Sequence, residues 1–519
     1  MTHRKTKTEL ELVETEKRDL EETSTHYFQV DFLKAVMIFL VIFDHIVHWD
    51  IKGDIGVALW ERISIPVFLV LMGFNMGISF QRKGQTSLKE LYSWSYFKSK
   101  ILRYVVPFLV LYGFSTLIGL ILYQFNITAM YLGQNYPQHG IIQLFTGFLP
   151  FWGPGNWFIP VIFGAILIFP LIYWAFTKKP ILTLILCFAV EIAMQLIVFF
   201  FIGDTSPGDV TSWPKVHILY FFMTSVLFYL SAIGLGIWFS IDHHLQSKRN
   251  IFMWILYPIS LAYMILYQFF GFRFMINDVP LIRGDYNLLV FPYSAFLLLL
   301  ALRYLPQKSS NKFSRAISLI GKSTYHILLT QILGYGMIYA LKGTHYIIGA
   351  GFTFFDALNL LYAWILFISF GVIWYKIDKE KNLTRRLLYY VNFFLVFTIL
   401  VFFIFITLGP PGFDQVPIPF VIILIYAGVA LIINYAFRKP IKTTTLALWT
   451  LLLVYNFFRT IQYIAMLPST EDLFQDISIG ILLIFIIIGT VLDYTNSGGL
   501  SNNEREFKGD KEQYNELNH

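Results

Sequence analysis

The sequence predicts an all-α protein, a polytopic bundle of transmembrane helices, and three observations support this fold class. Of the 519 residues, 56% are hydrophobic and only 14% are charged, whereas soluble domains carry about 25% charged residues. The mean hydropathy is +0.62. The apolar residues also fall into blocks of about 20 residues, the length that a helix needs to cross roughly 30 Å of hydrocarbon. A soluble globular domain is therefore excluded as the main architecture.

Charged or Pro/Gly-containing stretches divide the apolar blocks into about fourteen predicted spans. The first span ends in DHIVHWD rather than in small residues, so we expect a retained helix and not a cleaved signal peptide. Each later span begins where an apolar run resumes after a polar break. In chain order, the predicted spans are 29–48, 57–80, 101–123, 157–176, 181–202, 217–240, 251–270, 287–304, 323–341, 358–375, 390–408, 418–437, 444–467 and 477–494. Charged and polar residues dominate 1–28 and 495–519, which are predicted to be disordered tails.

The positions of the basic residues predict the orientation of the bundle. The two tails and alternate loops hold 31 of the 39 Lys and Arg residues, and the others are scattered. Under the positive-inside rule, both termini and the loops 81–100 and 305–320 are predicted to be cytoplasmic. The long loop 124–156 contains no Lys or Arg and is predicted to lie outside. The net charge of +7 is therefore explained by topology and not by nucleic-acid binding.

Ionisable residues interrupt the apolar first span: Asp31, Lys34, Asp44, His45 and His48. Such residues inside a membrane are costly and usually face a bundle interior or a wet cavity. Lys34 and His45 are separated by about 1100° of helical rotation, so they share one helix face about 16 Å apart along the axis. Alternatively, these side chains are charges and imidazoles at the two membrane interfaces. Both interpretations fit the spacing.

A basic cluster, Lys98, Lys100 and Arg103, stands at the start of the third span. Lys100 and Arg103 are three residues apart and share a helix face. The cluster is compatible with two roles. It fits basic residues that orient the helix at the cytoplasmic interface, and it also fits a binding site for phosphate groups. Glu191 and Gln195 are one turn apart in the fifth span. Glu191 is a candidate to orient the His45 ring, but a structural hydrogen-bonding pair between helices is the favoured interpretation.

Five segments, in order along the chain, share a resemblance to one known family. VDFLKAVMIFLVIFDH at 30–45 is similar to the family's first helix, with Asp31, Lys34 and His45 at the three motif positions. KILRYVVP at 100–107 resembles its basic pair before a proline. The other three segments are ISIPVFLVLMGFNMG at 63–77, GNWFIPVIFGAILIFPLIYW at 155–174 and IGKSTYHILLTQ at 320–331. The family they resemble is acyltransferase 3, the integral-membrane O-acyltransferases.

The resemblance covers about residues 27–376. It implies a ten-helix acyltransferase core at 29–376, followed by about four additional transmembrane helices at 390–494. The single cysteine, Cys187, lies inside an apolar block and excludes a disulfide framework or a cysteine-based metal cluster.

Four residues depart from the family pattern. Lys34 replaces the usual Arg, which keeps the charge but loses the bidentate geometry of a guanidinium. Met72 replaces a Ser, Lys100 replaces the first Arg of the basic pair, and Gln331 stands where His is common. These departures bear on catalytic competence more than on the fold.

The resemblance implies transfer of an acetyl group from cytosolic acetyl-CoA to a hydroxyl of a cell-surface or envelope carbohydrate. It also implies that the reaction needs no bound cofactor and takes place at the plasma membrane. His45 is the expected catalytic base, since imidazole titrates near neutral pH. Lys34, Lys100 and Arg103 are expected to bind the acyl-CoA. The residues expected to support the site are Asp31, Asn156, Trp157, Tyr325 and Gln331. An acyl-histidine and direct transfer are both compatible with the spacing.

The expected partners are acyl-CoA, a hydroxyl-bearing acceptor and membrane lipids, with no bound cofactor, no metal and no nucleic acid. His243 and His244, beside Asp242, are too close in sequence for a designed metal site. The alternative functions are a polytopic transporter, which should show repeat-related broken helices, and a catalytically inactive lipid- or glycan-binding membrane protein. We find no convincing internal repeat, and Arg459 in the thirteenth span is unexplained by the family pattern.

Overall fold

The computed structural model describes residues 27–127, 130, 153–202, 224–276, 279–282, 286–308, 311–342, 346–348 and 354–402. Within these ranges the chain is mostly helical. The last three predicted spans, the C-terminal tail, Arg459, residues 1–26 and most of the loop 124–156 lie outside the described residues.

The helices of the described chain vary from one turn to 31 residues in length. In chain order they are α1 (Phe28–Ile46), α2 (Trp49–Asp54), α3 (Ser64–Arg82), α4 (Leu88–Leu91), α5 (Trp94–Lys100), α6 (Val106–Leu122), α7 (Phe158–Lys178), α8 (Pro180–Ile197), α9 (Leu230–Ile241), α10 (Met253–Phe270), α11 (Phe291–Tyr304), α12 (Lys312–Lys342), α13 (Phe354–Ile377) and α14 (Leu383–Phe402). Two short strands, β1 (Met275–Ile276) and β2 (Val279–Pro280), pair in antiparallel fashion.

Six stretches of described residues are long and apolar enough to cross a membrane. They are Val57–Arg82, Leu88–Leu122, Phe158–Lys178, Pro180–Phe201, Met253–Phe270 and Asn359–Ile377. Helix α1 is not among them, because Asp31, Lys34 and Asp44 lie within its 19 residues. The prediction of a helical membrane protein is confirmed at this level, and the total of about fourteen spans stays a prediction.

Each of the first eleven predicted spans overlaps a helix of the structure, but the helix ends differ. One clear difference is at the start of α12, which begins at Lys312 rather than near residue 323. Asn311 and Ser314 explain the early start, since each side chain accepts a hydrogen bond from the other's backbone N–H, at 3.1 and 2.7 Å. This cap starts the helix in a polar segment that hydropathy alone assigns to a loop.

Helices α1 and α12 run parallel and in close contact along the centre of the structure. The Tyr335 hydroxyl donates to the Ile42 carbonyl at 3.2 Å. Nearer the start of both helices, a Cβ on Gly321 would come within 2.2 Å of the Asp31 carbonyl oxygen. Only glycine permits this approach. Helix α13 covers the pair, and its Trp364 indole donates to the Phe39 carbonyl at 3.0 Å.

A π-helical segment, Ile101–Val105, joins α5 to α6 without a break in the helical path. The Val106 N–H donates to the Ile101 carbonyl, five residues earlier. The Tyr325 hydroxyl from α12 donates to the Tyr104 carbonyl within the segment at 2.7 Å. Such segments often occur at functional sites, and this one carries Arg103.

Candidate active site

A cavity of about 870 Å³ lies between α1, α3, the α5–α6 region, α7, α12 and the end of α13. Its most distinctive feature is the charge of its lining. Seven Lys and Arg side chains line it: Lys34, Arg82, Lys83, Lys100, Arg103, Lys322 and Lys379. Among the described residues that line the cavity there is no Asp or Glu. The lining therefore favours an anionic ligand.

The basic residues gather at one end of the cavity. Helix α1 contributes Lys34 at its start, α3 contributes Arg82 at its end, and α12 contributes Lys322 before its apolar half. Because α1 and α12 are parallel and α3 packs antiparallel to α1, with the Arg82 guanidinium 5.9 Å from the Tyr27 ring, these positions lie at the same level. We call this part of the cavity the basic end.

The three predicted acyl-CoA-binding residues all line the basic end. Lys34 lies within electrostatic range of Arg103 and Lys322, and Lys100 lies within range of Arg103 and Lys83. Lys34, Lys100 and Lys322 are half-buried, whereas Arg103 is exposed. Lys98, the third member of the sequence cluster, is exposed and does not line the cavity. Close like charges repel, so a bound polyanion would relieve this repulsion.

Four of the seven cations were not identified from the sequence: Arg82, Lys83, Lys322 and Lys379. The sequence places all four between predicted spans, where a basic residue is explained by membrane orientation. A signal was available for Lys322, which stands in IGKSTYH, three residues before Tyr325.

Two of the predicted supporting residues, Asp31 and Tyr325, lie near the basic end and hold neighbouring helices in place. Asp31 is fully buried, and its Oδ2 accepts a hydrogen bond from the Ser318 hydroxyl at 2.6 Å, which joins α1 to α12. Tyr325 lines the cavity and anchors the Tyr104 carbonyl. Both residues therefore hold the helices that carry Lys34, Arg103 and Lys322.

The rest of the cavity is apolar and leads toward His45. Its lining includes Ile38, Val41, Phe158 and Leu328. His45 itself does not line the cavity, but it lies one helical turn beyond Val41, about 6 Å along the axis. A Cβ on Gly155 would be 3.3 Å from His45 Cε1 and 3.5 Å from Leu328 Cδ1. His45 is therefore close to the end of the cavity opposite the cations.

His45 is largely enclosed, with 13% of its side chain exposed. Its Nδ1 is buried and has no hydrogen-bond partner among the described residues. The Tyr335 ring meets it edge-on, with centroids 5.8 Å apart. His48 differs, since 38% of its side chain is exposed and its Nδ1 accepts from the Asp50 N–H at the start of α2.

The carboxylate next to His45 is held by a cation and not by the imidazole. Asp44 Oδ1 lies 2.5 Å from the Lys52 ammonium, while Asp44 Oδ2 is 4.0 Å from His45 Nε2, beyond hydrogen-bond distance. Lys52 is only 1% exposed, and its role was not identified from the sequence. The charge of Asp44 is therefore compensated beside His45.

Two amide side chains near His45 have unused hydrogen-bonding capacity. Asn156 follows Gly155 and is 2% exposed, and Gln331, one turn before Tyr335 on α12, is fully buried. The side-chain oxygen and nitrogen of both residues have no hydrogen-bond partner in the described part of the chain. Trp157, the remaining predicted supporting residue, stacks on Tyr286 with ring centroids 5.6 Å apart.

Other polar groups singled out in the sequence lie away from this cavity. The Ser231 hydroxyl of α9 donates to Glu191 of α8, so Glu191 joins two helices. Burial is the main cause of the lowered pKa of His243, and the neighbouring His244 lowers it further. The two imidazole rings stack, with their centroids 5.1 Å apart. The described residues contain no group of three or more His, Cys, Asp or Glu residues that could hold a metal ion.

Comparison with known proteins identifies the family to which the chain belongs. The family model described as "Acyltransferase domain" matches residues 27–377, more than half of the chain. The chain belongs to the acyltransferase 3 family. No curated protein and no solved structure matches the chain. The family domain of this membrane acyltransferase therefore spans helices α1 to α13, which include the helices that line the cavity.

The departures from the family pattern can now be located in the acyltransferase. Lys34 and Lys100 line the basic end, so both positions keep a positive charge there. Met72 lines the cavity as well. Gln331 is the buried amide near His45. The match ends at residue 377, so α14 lies beyond the family domain.

Proposed function

We propose that this acyltransferase moves an acetyl group from cytosolic acetyl-CoA to a hydroxyl of a cell-surface or envelope carbohydrate. The observation that carries the proposal is the polarity of the cavity. Seven cations line one end, an apolar stretch follows, and His45 lies one turn beyond Val41 at the other end. Acetyl-CoA has the same sequence of groups, with phosphates at one end, a pantetheine arm, and a thioester at the other end.

The basic end binds the phosphates of the donor. Lys34, Lys100 and Arg103 supply charge-assisted hydrogen bonds, and the guanidinium of Arg103 offers a bidentate contact to a phosphate. The cations come from different helices, so donor binding also holds these helices together. The pantetheine arm then follows the apolar lining and carries the thioester toward His45.

His45 acts as the general base for the acceptor. The lone pair of the imidazole takes the proton from the acceptor hydroxyl as the hydroxyl oxygen attacks the thioester carbonyl carbon. The carbon–sulfur bond then breaks, and the thiolate of CoA takes up the proton from the imidazolium. The buried Nδ1 of His45, which has no partner among the described residues, supports this role.

The groups around His45 suit a hydroxyl-rich acceptor. Asn156 and Gln331 each offer a hydrogen-bond donor and an acceptor, and these atoms are unsatisfied in the described part of the chain. A sugar ring with neighbouring hydroxyls supplies partners for both. An apolar acceptor would leave them buried and unpaired, at a cost of roughly 1–3 kcal/mol for each group.

The charge distribution supports an orientation with the basic end in the cytosol. The loops next to the basic end belong to the Lys/Arg-rich set that the positive-inside rule assigns to the cytoplasm. Under the proposal both termini are cytoplasmic, the protein resides in the plasma membrane, and His45 faces the acceptor near the outer surface.

The direct test combines a binding and a transfer measurement on the purified full-length chain. Isothermal titration with acetyl-CoA should show saturable binding, and incubation with radiolabelled acetyl-CoA and an envelope glycan extract should label the glycan. Adenosine diphosphate, which has phosphates but no thioester, is the control ligand for binding without transfer. Absence of acetyl-CoA binding, or binding with no labelled glycan, would count against the proposed reaction.

A further inference from the structure

A second histidine, His326 of α12, lies in the wall of the same cavity. Its Nε2 is 2.7 Å from Asp378 Oδ2. The other carboxylate oxygen of Asp378 accepts a hydrogen bond from the Tyr390 hydroxyl. The three side chains therefore form a chain of hydrogen bonds that runs from α14 to the cavity.

The other ring nitrogen of His326 makes no hydrogen bond within the described part of the chain. A carboxylate only accepts hydrogen bonds, so the Nε2 proton is used by Asp378, and in the neutral ring Nδ1 is an acceptor. Nδ1 is buried and has no hydrogen-bond partner in the described ranges, and the residue is 6% exposed. The Trp374 and Tyr375 rings lie edge-on to the imidazole, with centroids 5.8 and 5.6 Å away, and fix its plane.

The position of His326 along the cavity indicates which part of a ligand it meets. His326 lies one turn after Lys322 and just before Leu328, and all three line the cavity. The imidazole therefore stands between the basic end and the apolar stretch. For a donor with its phosphates on the cations, this level corresponds to the pantetheine arm, whose amide N–H and hydroxyl groups are hydrogen-bond donors.

The residues that hold His326 lie beyond the family domain. The family match ends at 377, whereas Asp378 follows it directly and Tyr390 lies on α14. Helix α14 is firmly packed at this place, with Phe393 5.6 Å from Trp374 and Phe394 stacked on Phe114 at 3.9 Å. An element added to the family domain thus reaches the cavity through His326.

We propose that His326 binds the pantetheine arm of the donor through Nδ1, and that Asp378 and Tyr390 are positioning residues that hold the imidazole for this contact. The proposal rests on the proposed function, because it assumes that the cavity takes acetyl-CoA. It assigns α14 a part in donor binding and gives the cavity a contact that distinguishes acetyl-CoA from other polyphosphates.

The test compares two ligands by isothermal titration of the full-length protein: acetyl-CoA and adenosine 3′,5′-bisphosphate, which has phosphates but no pantetheine arm. His326→Gln keeps a hydrogen-bonding group near the Nε2 position and removes Nδ1. We expect it to weaken acetyl-CoA binding about tenfold and to leave the affinity for the bisphosphate unchanged. Arg103→Ala should weaken both ligands.

The positioning role is tested with Tyr390→Phe, which removes only the hydroxyl and keeps the ring. This variant should weaken acetyl-CoA binding severalfold in the wild-type background and have no further effect in the His326→Gln background. Tyr362→Phe is the control, since Tyr362 is a buried tyrosine of α13 that does not line the cavity. Its affinity should equal that of the wild type.

Three results would overturn the proposal. Unchanged acetyl-CoA affinity in both His326→Gln and Tyr390→Phe would leave His326 a packing residue. Equal losses for acetyl-CoA and the bisphosphate would show a general structural effect. If the wild-type protein binds neither ligand, the proposed function fails, and this inference fails with it.

Discussion

At the residue scale, the two ends of the cavity carry different kinds of side chain. Under the proposed function, the cations at the basic end attract the donor by charge and contribute to binding. His45 lies at the other end, enclosed by Tyr335 and the Gly155 turn, and under the same proposal it contributes to the chemical step. Substitutions at the two ends should therefore affect different measured quantities.

His45→Ala should abolish acetyl transfer and leave the acetyl-CoA affinity largely intact, because a general base acts in the chemical step and not in holding the donor. His48→Ala is the matched control, since His48 is on the same stretch of chain but is more exposed and contacts Asp50. Single-turnover transfer and titration calorimetry measure the two quantities. Wild-type turnover by His45→Ala would reduce the imidazole to an interfacial residue.

Arg103→Ala should weaken acetyl-CoA binding by about 1.5–3 kcal/mol, or roughly ten- to a hundredfold, and the loss should shrink at high salt because the guanidinium is exposed. Lys322→Ala should behave similarly. Lys98→Ala removes a neighbouring cation that does not line the cavity, so its affinity should remain that of the wild type. If Arg103→Ala and Lys98→Ala bind equally well, the cluster only orients the membrane helix.

At the element scale, the pairing of α1 with α12 decides whether the site forms. Asp31 bonds Ser318, and Gly321 lies against the Asp31 backbone, so Lys34 and Lys322 are held at one level. The π-helical segment places Arg103 beside them, and Tyr325 fixes that segment through the Tyr104 carbonyl. Where Gly321 meets Asp31, the backbones of α1 and α12 lie so close together that no side chain fits between them.

Gly321→Ala should therefore lower the thermal stability and the acetyl-CoA affinity together. The added methyl group would lie 2.2 Å from the Asp31 carbonyl oxygen, and relieving such overpacking typically costs about 1–3 kcal/mol. Gly113→Ala is the control, because a Cβ at Gly113 meets no atom within 4 Å. Thermal unfolding in detergent gives the comparison, and equal midpoints for Gly321→Ala and wild type would contradict the close packing of α1 and α12.

The sequence predicts the elements better than their ends. Hydropathy locates a helix at each of the first eleven predicted spans, but it cannot detect the cap of Asn311 and Ser314 that starts α12 in a polar segment. The motif residues Lys34, Lys100 and Arg103 do converge in space. Lys322 was missed because a single sequence offers two explanations for a basic residue at a membrane boundary, and only the fold shows which side chains face the cavity.

Side-chain pairs formed by the packing of separate segments were also beyond the sequence. Lys52 looks like an ordinary loop lysine until its contact with Asp44 is seen. His326 and Asp378 are 52 residues apart, and their spacing carries no periodic signal. Both pairs depend on how separate helices meet, which is tertiary information.

At the scale of the whole molecule, transfer from a cytosolic donor requires that the basic end face the cytosol. In a Cys187→Ser background, a membrane-impermeant thiol reagent added to intact cells should label Asp54→Cys and not Thr86→Cys. Both positions are exposed, and they lie in loops that the charge distribution assigns to opposite sides. Labelling of Thr86→Cys alone would invert the topology and place the basic end outside.

If an acetyl group passes from a donor at the basic end to an acceptor at the His45 end, transfer should take place across a sealed membrane. Proteoliposomes would enclose envelope glycan and receive radiolabelled acetyl-CoA only from outside. We expect labelled glycan inside vesicles whose protein exposes the basic end outward, and no label with His45→Ala. Labelling only of glycan on the same side as acetyl-CoA, or equal labelling with His45→Ala, would contradict it.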